Sequence, residues 1–271
     1  MPELPEVETT RRGIAEYVEG HSVEVMRVHQ RRFRVPVPEG LEARVAGRSF
    51  GTITRRAKYL LLPIAGGHLL WHLGMSGSLR LTRPGEPRRK HDHIEVTLSS
   101  GWQLRYHDPR RFGFVDFIEE DPMADKRLAL LGPEPLSEAF TATQLARRAQ
   151  NKRVAIKTLI MDNAVVVGVG NIYANEALFT AGIDPRLPAG QVSMAALTLL
   201  VLAIKEVLAA AIAQGGTTLR DFVSGHNTPG YFVQQLKVYG RGGQPCRRCG
   251  TALEQVAIGQ RATVFCPHCQ R

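Results

Sequence analysis

The sequence predicts an α+β protein of three successive parts, and three patterns along its 271 residues support this. Short segments of alternating apolar residues run from about 22 to 118 between Gly and Pro turns, which indicates a β-sandwich with one flanking N-terminal helix. Later in the chain, from 141 to 214, apolar residues recur at helical spacing instead. The last 26 residues contain all four cysteines around two short apolar segments, which indicates a β-ribbon.

The N-terminal part is expected to begin with a helix over 5–19. Pro5 suits the first helical turn, and Glu6 and Glu8 lie where the positive end of the helix dipole favours acidic side chains. Strands are predicted at 59–64, 69–73, 93–98, 103–106 and 112–117. The first two are continuously apolar, which is typical of central strands.

A Gly-Pro-Glu-Pro segment at 132–135 ends the strand pattern, so we place domains at 1–133, 134–237 and 238–271. Helices are predicted at 141–150, 153–162, 172–181 and 193–214. The last is long and apolar, but Lys205 and Glu206 interrupt it. Its amphipathic pattern favours a buried bundle helix over a membrane span.

The glycine-rich segment at 165–170 partly matches a dinucleotide-binding turn. However, the position of the third glycine holds Tyr173, and helices rather than a βαβ unit surround the segment. We interpret it instead as a turn of backbone amides at a helix N-terminus, followed by Asn171 and suited to bind a phosphate.

The cysteines form two Cys-x-x-Cys pairs separated by 16 residues, Cys246 with Cys249 and Cys266 with Cys269. This spacing predicts one structural zinc ion held by four thiolates. Disulfides would need an oxidising compartment, and the N-terminus shows no secretory signal pattern. We therefore expect a cytoplasmic protein in which the metal folds the ribbon without taking part in chemistry.

The charge balance points to a polyanionic partner. The chain carries 35 Lys and Arg residues against 25 Asp and Glu residues, a formal net charge of +10. Such an excess fits either nucleic acid or an anionic membrane surface. Because no segment favours a membrane span, we expect nucleic acid and no membrane.

The N-terminus offers a candidate nucleophile. Removal of Met1 would leave a free secondary amine on Pro2, with a reference pKa of about 8, that could attack a sugar carbon and form an iminium. Glu3 places a carboxyl group beside it for proton transfer. The alternative for both residues is a frayed, solvated chain end.

Two tight turns offer candidate base-stack wedges. Met75 lies in one of them, and Arg110 and Phe112 share the other. Apolar side chains beside arginines are what proteins insert into DNA to replace an extruded base. The alternative for Phe112 is the first core residue of a strand. The segments 55–58 and 90–93 also carry basic residues before strands, and they are either contacts or solvated strand ends.

Several segments together resemble bacterial formamidopyrimidine-DNA glycosylases, in order and over the whole chain. They are 2–8, 56–59, 72–77, 108–113, 168–173 and the four-cysteine ribbon. The resemblance implies a β-sandwich, a helix–two-turn–helix domain and a zinc ribbon. It also implies a monomeric bacterial enzyme of base excision repair that removes oxidised purines from double-stranded DNA and cleaves the strand.

The resemblance assigns roles to individual residues. Pro2 would form a Schiff base at the anomeric carbon, Glu3 would donate a proton, Lys58 would serve in β-elimination and Arg261 in δ-elimination. The implied DNA-binding residues are His91, Arg110, Lys152, Asn171, Met75, Phe112 and Arg220. Among these, Met75, Arg110 and Phe112 would fill the gap left by the flipped nucleotide, and Arg220 would lie in a segment, 217–231, that closes over the extruded base.

Two alternatives remain at this point. Endonuclease VIII, the sister family, shares the fold and nucleophile but prefers oxidised pyrimidines, whereas Leu4 and the pair of Arg110 and Phe112 favour the purine enzyme. A non-catalytic zinc-ribbon DNA-binding protein is the second. Duplexes that contain 8-oxoguanine or thymine glycol would separate all three, since a pure binder would cut neither.

Overall fold

The computed structural model describes residues 2–216 and 232–271, and the chain forms two compact units. One comprises Met1–Ala129 with Gln214–Val233, and the other comprises Leu130–Ala213 with Gln234–Arg271. The helices are α1 Leu4–Val18, α2 Leu41–Val45, α3 Ala142–Ala149, α4 Ile156–Ile160, α5 Asn171–Ala181 and α6 Met194–Ala213. The strands are β1 Val23–Val28, β2 Thr54–Arg56, β3 Tyr59–Ile64, β4 Gly67–His72, β5 Ser78–Thr82, β6 Asp92–Leu98, β7 Gln103–His107, β8 Phe114–Ile118, β9 Glu254–Ile258 and β10 Arg261–Phe265.

The first unit is a sandwich of two four-stranded antiparallel sheets, in the orders β1-β6-β7-β5 and β2-β3-β4-β8. Trp71, Tyr106 and Leu60 are buried in its core, and α1 packs against it through Val7 and Ile14. The β-sandwich with a flanking helix is therefore confirmed, and so is the central position of the continuously apolar strands β3 and β4.

The second unit packs α3, α5 and α6 together and carries the β9–β10 hairpin. The prediction for α4 was too long, because only Ile156–Ile160 is helical. Ala155 instead forms a β-bridge with Pro188, which fixes the preceding backbone in an extended conformation. The sequence predicts strands at 257–258 and 262–265 around a turn at 259–261, but the turn is shorter, since Arg261 is already the first residue of β10.

The helix α6 is long and apolar enough to cross a membrane, with a mean hydropathy of 2.2 over a window that is 44% buried. This is a weak indication, because the core helix of a folded domain meets the same test. Leu197, Leu200, Ile204 and Leu208 on α6 are buried within the second unit. Its packing against α3 and α5 fits the predicted bundle helix.

Candidate active site

The N-terminus is ordered and buried at its first described residues. Pro2 is buried and Glu3 is only 2% exposed. The backbone N–H of Glu3 donates to Glu6 Oε2 at 2.9 Å, and the N–H of Val7 donates to the Glu3 carbonyl at 3.1 Å, so α1 begins directly after Glu3. This burial contradicts the alternative of a solvated chain end for residues 2 and 3.

Lys58 lies in the tight turn between β2 and β3, where Ala57 has a positive φ of 54°. Arg55 donates to the Ala57 carbonyl at 2.9 Å and to Glu8 Oε2 at 3.2 Å. Burial raises the pKa of Glu8, but hydrogen bonds from Arg11 and Arg12 outweigh it and lower the pKa to about 2. The ionised Glu8 therefore links α1, which begins directly after Glu3, to the turn that contains Lys58.

His72 lies within electrostatic reach of Lys58. Burial, together with the positive charge of Lys58, lowers the pKa of His72 to about 4. The backbone N–H of Gly74 donates to His72 Nδ1 at 3.0 Å, which requires that nitrogen to be unprotonated. The imidazole is therefore neutral near pH 7 and anchors the start of the loop that carries Met75.

Met75 and Phe112 lie on two loops that touch through their backbones. A Cβ on Gly74, whose φ is +67°, would approach Gly113 N to 2.2 Å and Phe112 C to 2.5 Å. Only glycine permits this contact. Met75 is 39% exposed and Phe112 is 42% exposed, and the Arg110 guanidinium lies 4.6 Å from the Phe112 ring centre. The Phe112 side chain is thus exposed, and β8 starts only at Phe114. Both observations contradict a core position for Phe112.

The fully buried carboxylate of Asp108 holds these two loops together, and sequence reasoning assigned it no role. Its Oδ1 accepts from Ser76 Oγ at 2.7 Å and from the Arg110 N–H at 3.2 Å. Its Oδ2 accepts from the Gly113 N–H at 2.9 Å and from the Tyr106 hydroxyl at 3.2 Å. Burial and the carboxylate of Asp108 raise the pKa of Tyr106, which keeps the phenol protonated as a donor.

In the second unit, Lys152 and Arg261 line one cavity of about 520 Å³, together with Arg148 and Lys157. Lys152 and Arg261 are exposed. Lys157, by contrast, is 1% exposed. The cavity therefore brings together Lys152, which is predicted to contact DNA, Arg261, which is predicted to serve in δ-elimination, and two further cations that sequence reasoning did not identify.

Asn171 is the first residue of α5, after Gly170 and a turn in which Gly168 has a φ of 78°. The helix start predicted here is confirmed, whereas its use as a phosphate site stays a prediction. The Asn171 amide nitrogen donates to the Ala262 carbonyl at 3.0 Å, and its Oδ1 accepts from Lys157 Nζ at 2.6 Å. Asn171 is thus joined to the strand that starts with Arg261.

Lys157 is the buried centre of this group. Besides Asn171, its ammonium donates to Thr263 Oγ1 at 2.6 Å and to the Ala262 carbonyl at 3.2 Å. A lysine inside the apolar sequence of α4 was the available signal, because a buried ammonium needs several acceptors.

Lys157→Met is expected to destabilise the second unit by about 3 kcal/mol, because buried acceptors left unsatisfied cost about 1–3 kcal/mol each. DNA binding should weaken with it, since Asn171 and β10 lose their common anchor. Lys152→Met is the matched control, because it removes an exposed ammonium from the same cavity. Its free energy of unfolding should equal that of the wild type, while its affinity for DNA should fall only by the contribution of one surface charge. Urea unfolding and fluorescence anisotropy with a labelled duplex measure the two effects. Equal unfolding free energies in the two variants would contradict the anchoring role.

The four cysteines form a compact metal site on the C-terminal ribbon. The sulfur atoms of Cys246, Cys249, Cys266 and Cys269 all lie within 4.8 Å of one another. A tetrahedral zinc with Zn–S bonds of about 2.3 Å separates its sulfurs by about 3.8 Å, so the donor set fits one zinc ion. The predicted structural zinc site is confirmed in its residues and compactness.

The ribbon is tied to α5 by buried polar side chains. The Glu176 carboxylate accepts from the backbone N–H groups of Lys237, Val238 and Tyr239 at 2.8–2.9 Å. Asn175 Oδ1 accepts from the Val264 N–H at 2.8 Å. Two consecutive residues of α5 therefore fix both the start of the C-terminal segment and strand β10. Arg220 and the rest of 217–231 lie outside the described residues.

Comparisons with known proteins agree along the whole chain. Family models match at residues 1–115 (formamidopyrimidine-DNA glycosylase N-terminal domain), 131–223 (formamidopyrimidine-DNA glycosylase H2TH domain) and 243–271 (zinc finger found in FPG and IleRS). A formamidopyrimidine-DNA glycosylase of Pseudomonas putida is 57% identical over 271 residues, covering 100% of both chains.

Two solved structures have the same fold. A Lactococcus lactis FPG mutant in complex with a Fapy-dG containing DNA superposes with a TM-score of 0.93 at 34% identity, covering 100% of each chain. The MutM (FPG) protein from Thermus thermophilus gives a TM-score of 0.89 at 38% identity, covering 99% of this chain and 98% of the other. The helix–two-turn–helix domain and the zinc finger implied by the sequence are thereby confirmed. The chain belongs to the formamidopyrimidine-DNA glycosylase family.

Proposed function

We propose that this protein excises oxidised purines, such as 8-oxoguanine and formamidopyrimidines, from duplex DNA in base excision repair, and then cleaves the strand at the abasic site. Family membership supports the glycosylase activity. The observation that carries the rest is the buried terminus, where Pro2 directly precedes the ordered Glu3 at the start of α1. With Met1 removed, a secondary amine and a carboxyl group stand side by side.

In the proposed reaction, the Pro2 nitrogen attacks C1′ of the flipped nucleotide, the bond from C1′ to the base breaks, and Glu3 donates a proton. The base leaves with the proton that the attacking amine loses. The C1′–O4′ bond then breaks as O4′ takes the proton from Glu3, which opens the sugar and leaves an iminium between Pro2 and C1′. This electron sink acidifies the proton on C2′, so its loss expels the 3′ phosphate by β-elimination, in which Lys58 serves. A second, δ-elimination, in which Arg261 serves, expels the 5′ phosphate.

The remaining assigned residues bind the duplex in this proposal. His91, Lys152, Asn171 and Arg261 contact phosphates, which fits the net charge of +10 and the cations around the cavity of the second unit. The exposed side chains of Met75, Arg110 and Phe112 fill the gap left by the flipped nucleotide, and Arg220 belongs to the segment that closes over it. The protein acts as a monomer in the bacterial cytoplasm.

The test is incubation with three labelled duplexes that differ at one position: 8-oxoguanine opposite cytosine, thymine glycol, and undamaged guanine. We expect strand cleavage at 8-oxoguanine that leaves phosphates on both sides of a one-nucleotide gap, which denaturing gels resolve. Preference for thymine glycol would assign the sister activity, and binding without cleavage of either would assign a pure DNA-binding protein. Release of 8-oxoguanine with an intact strand would contradict the lyase step alone.

A further inference from the structure

The outer face of the first sheet carries a buried network of charged side chains that the mechanism does not use. Arg80 on β5 and Arg105 on β7 are direct neighbours in the strand register, and both are 3% exposed. Asp92 and Glu95 on β6 supply two carboxylates that balance the two guanidinium charges. A buried set of this kind is costly to desolvate, and its ion pairs and hydrogen bonds offset part of that cost.

Arg80 and Arg105 share Asp92 but differ in what else they contact. Arg80 Nη2 donates to Asp92 Oδ1 at 2.6 Å, and its Nε is buried with no hydrogen-bond partner among the described residues. Arg105 Nε lies 3.0 Å from Glu95 Oε1, and its two Nη atoms donate to the backbone carbonyls of Pro87 at 3.0 Å and Glu86 at 2.6 Å. Of the two arginines, only Arg105 therefore donates hydrogen bonds to backbone outside the sheet.

The carbonyls that Arg105 binds belong to the basic loop, which we define as residues 83–91 between β5 and β6. Its exposed side chains include the cations Arg83, Arg88, Arg89 and Lys90, and its last residue is His91. Asp92 binds the same loop from the other end, because its Oδ2 accepts from the Arg89 N–H at 2.9 Å. A hydrogen bond from His107 and the nearby Arg80 outweigh burial and lower the pKa of Asp92 below its usual range, so this acceptor stays charged.

We propose that Arg105 and Asp92 are positioning residues for DNA binding. From the outer face of the sheet they hold the backbone of the basic loop, so that Lys90 and His91 meet the phosphate backbone in a fixed geometry. The inference rests on the proposed function for its ligand. The expected gain in affinity comes from preorganisation, since a loop whose backbone is already fixed loses less conformational entropy when the duplex binds. The loop's several cations would otherwise repel one another and spread apart.

The pair of arginines supplies a matched experiment. Arg105→Met and Arg80→Met each remove an equally buried guanidinium beside Asp92. The first also removes contacts within the sheet to Glu95 and Gln103, and it alone removes the two hydrogen bonds to loop carbonyls. We expect Arg105→Met to weaken binding of an 8-oxoguanine duplex by roughly ten- to a hundredfold, the scale on which residues that orient a contacting group act. Arg80→Met should leave affinity within about twofold of the wild type.

A second readout does not depend on DNA. Hydrogen exchange of the Arg89 amide, which is bonded to Asp92, should accelerate in Arg105→Met and stay slow in Arg80→Met. Arg105→Lys covers the case in which the methionine variant fails to fold, because an ammonium cannot donate to both carbonyls in the guanidinium's forked geometry. Arg105→Lys should also lose affinity for the duplex, but by a smaller factor than Arg105→Met.

A double-mutant cycle decides whether the effect passes through the loop. In a Lys90→Ala, His91→Ala background, Arg105→Met should cause little further loss of affinity, because the groups it positions are gone. Equal losses of affinity for Arg80→Met and Arg105→Met, or an undiminished effect in that background, would overturn the proposal. If the wild type binds no duplex, the proposed function fails, and unchanged Arg89 exchange in Arg105→Met would still overturn the positioning role separately.

Discussion

A preparation that keeps Met1 is expected to bind damaged duplex normally and to excise no base. The amide formed by Met1 leaves the Pro2 nitrogen without a nucleophilic lone pair, so the rate of excision should fall by at least about a thousandfold, as when a covalent nucleophile is removed. Affinity should survive because the cations of the second unit are unchanged. Single-turnover excision and anisotropy with the same duplex measure the two quantities.

Covalent trapping tests the same role of Pro2 by a product that forms instead of an activity that is lost. Borohydride added during turnover should reduce the iminium and link protein to DNA, with the adduct mapped by mass spectrometry to the N-terminal peptide. Glu3→Gln should bind while losing excision, because an amide cannot donate a proton as a carboxylic acid does. Glu16→Gln, exposed on the same helix, is the matched control and should trap as the wild type does. An adduct on a lysine would refute the assignment of Pro2.

Replacement of Cys266 by Ser should release the zinc ion and unfold the ribbon. The metal content should fall from about one to about zero ions per chain, since structural zinc supplies much of the folding free energy of such small modules. Strand β10 begins at Arg261 and ends just before Cys266, so Arg261 should lose its position. The slope of log affinity against log salt should then shrink by about one for each phosphate that the ribbon no longer binds.

His268→Ser is the matched control for this variant, because His268 is exposed between Cys266 and Cys269 and is not part of the four-sulfur cluster. It should keep its zinc and its salt slope. The first unit should keep its near-ultraviolet circular dichroism in both variants, because its sandwich has a separate core. Full DNA binding by zinc-free Cys266→Ser would show that the ribbon is dispensable.

Structural features that depend on residues close together in the sequence were predicted well. The continuously apolar segment 59–64 is strand β3, the turn before Asn171 opens α5, and the paired cysteines form one compact cluster. Each depends on residues close together in the chain, where periodicity, turn chemistry and ligand spacing act directly. The exposed position of Phe112 needed the structure, because a turn with an aromatic residue fits the start of a core strand equally well until the exposed fraction of its side chain is known.

The buried supports could not be predicted for a different reason. Lys157 bonds to Thr263, which lies 106 residues away, and Asp108 bonds to Ser76, 32 residues away. Arg105 meets the carbonyl of Glu86 19 residues earlier. Local sequence can mark one member of such a pair, as the lysine within the apolar α4 does, but it does not identify the distant partner, because the same polar side chains are common on solvated surfaces. Tertiary contact also overrode the helical pattern before Ile156, where the bridge from Ala155 to Pro188 delays the start of α4.

The backbone contact between Gly74 and Gly113 has a mechanical consequence. Two loops that meet without an intervening side chain, and share the Asp108 carboxylate, have almost no compliance between them. If Phe112 meets a base pair as proposed, a load on its ring would therefore be carried into the Met75 loop instead of being absorbed by bending. In the proposed function, such a stiff support would convert small differences in the resistance of a base step into differences in whether the step opens.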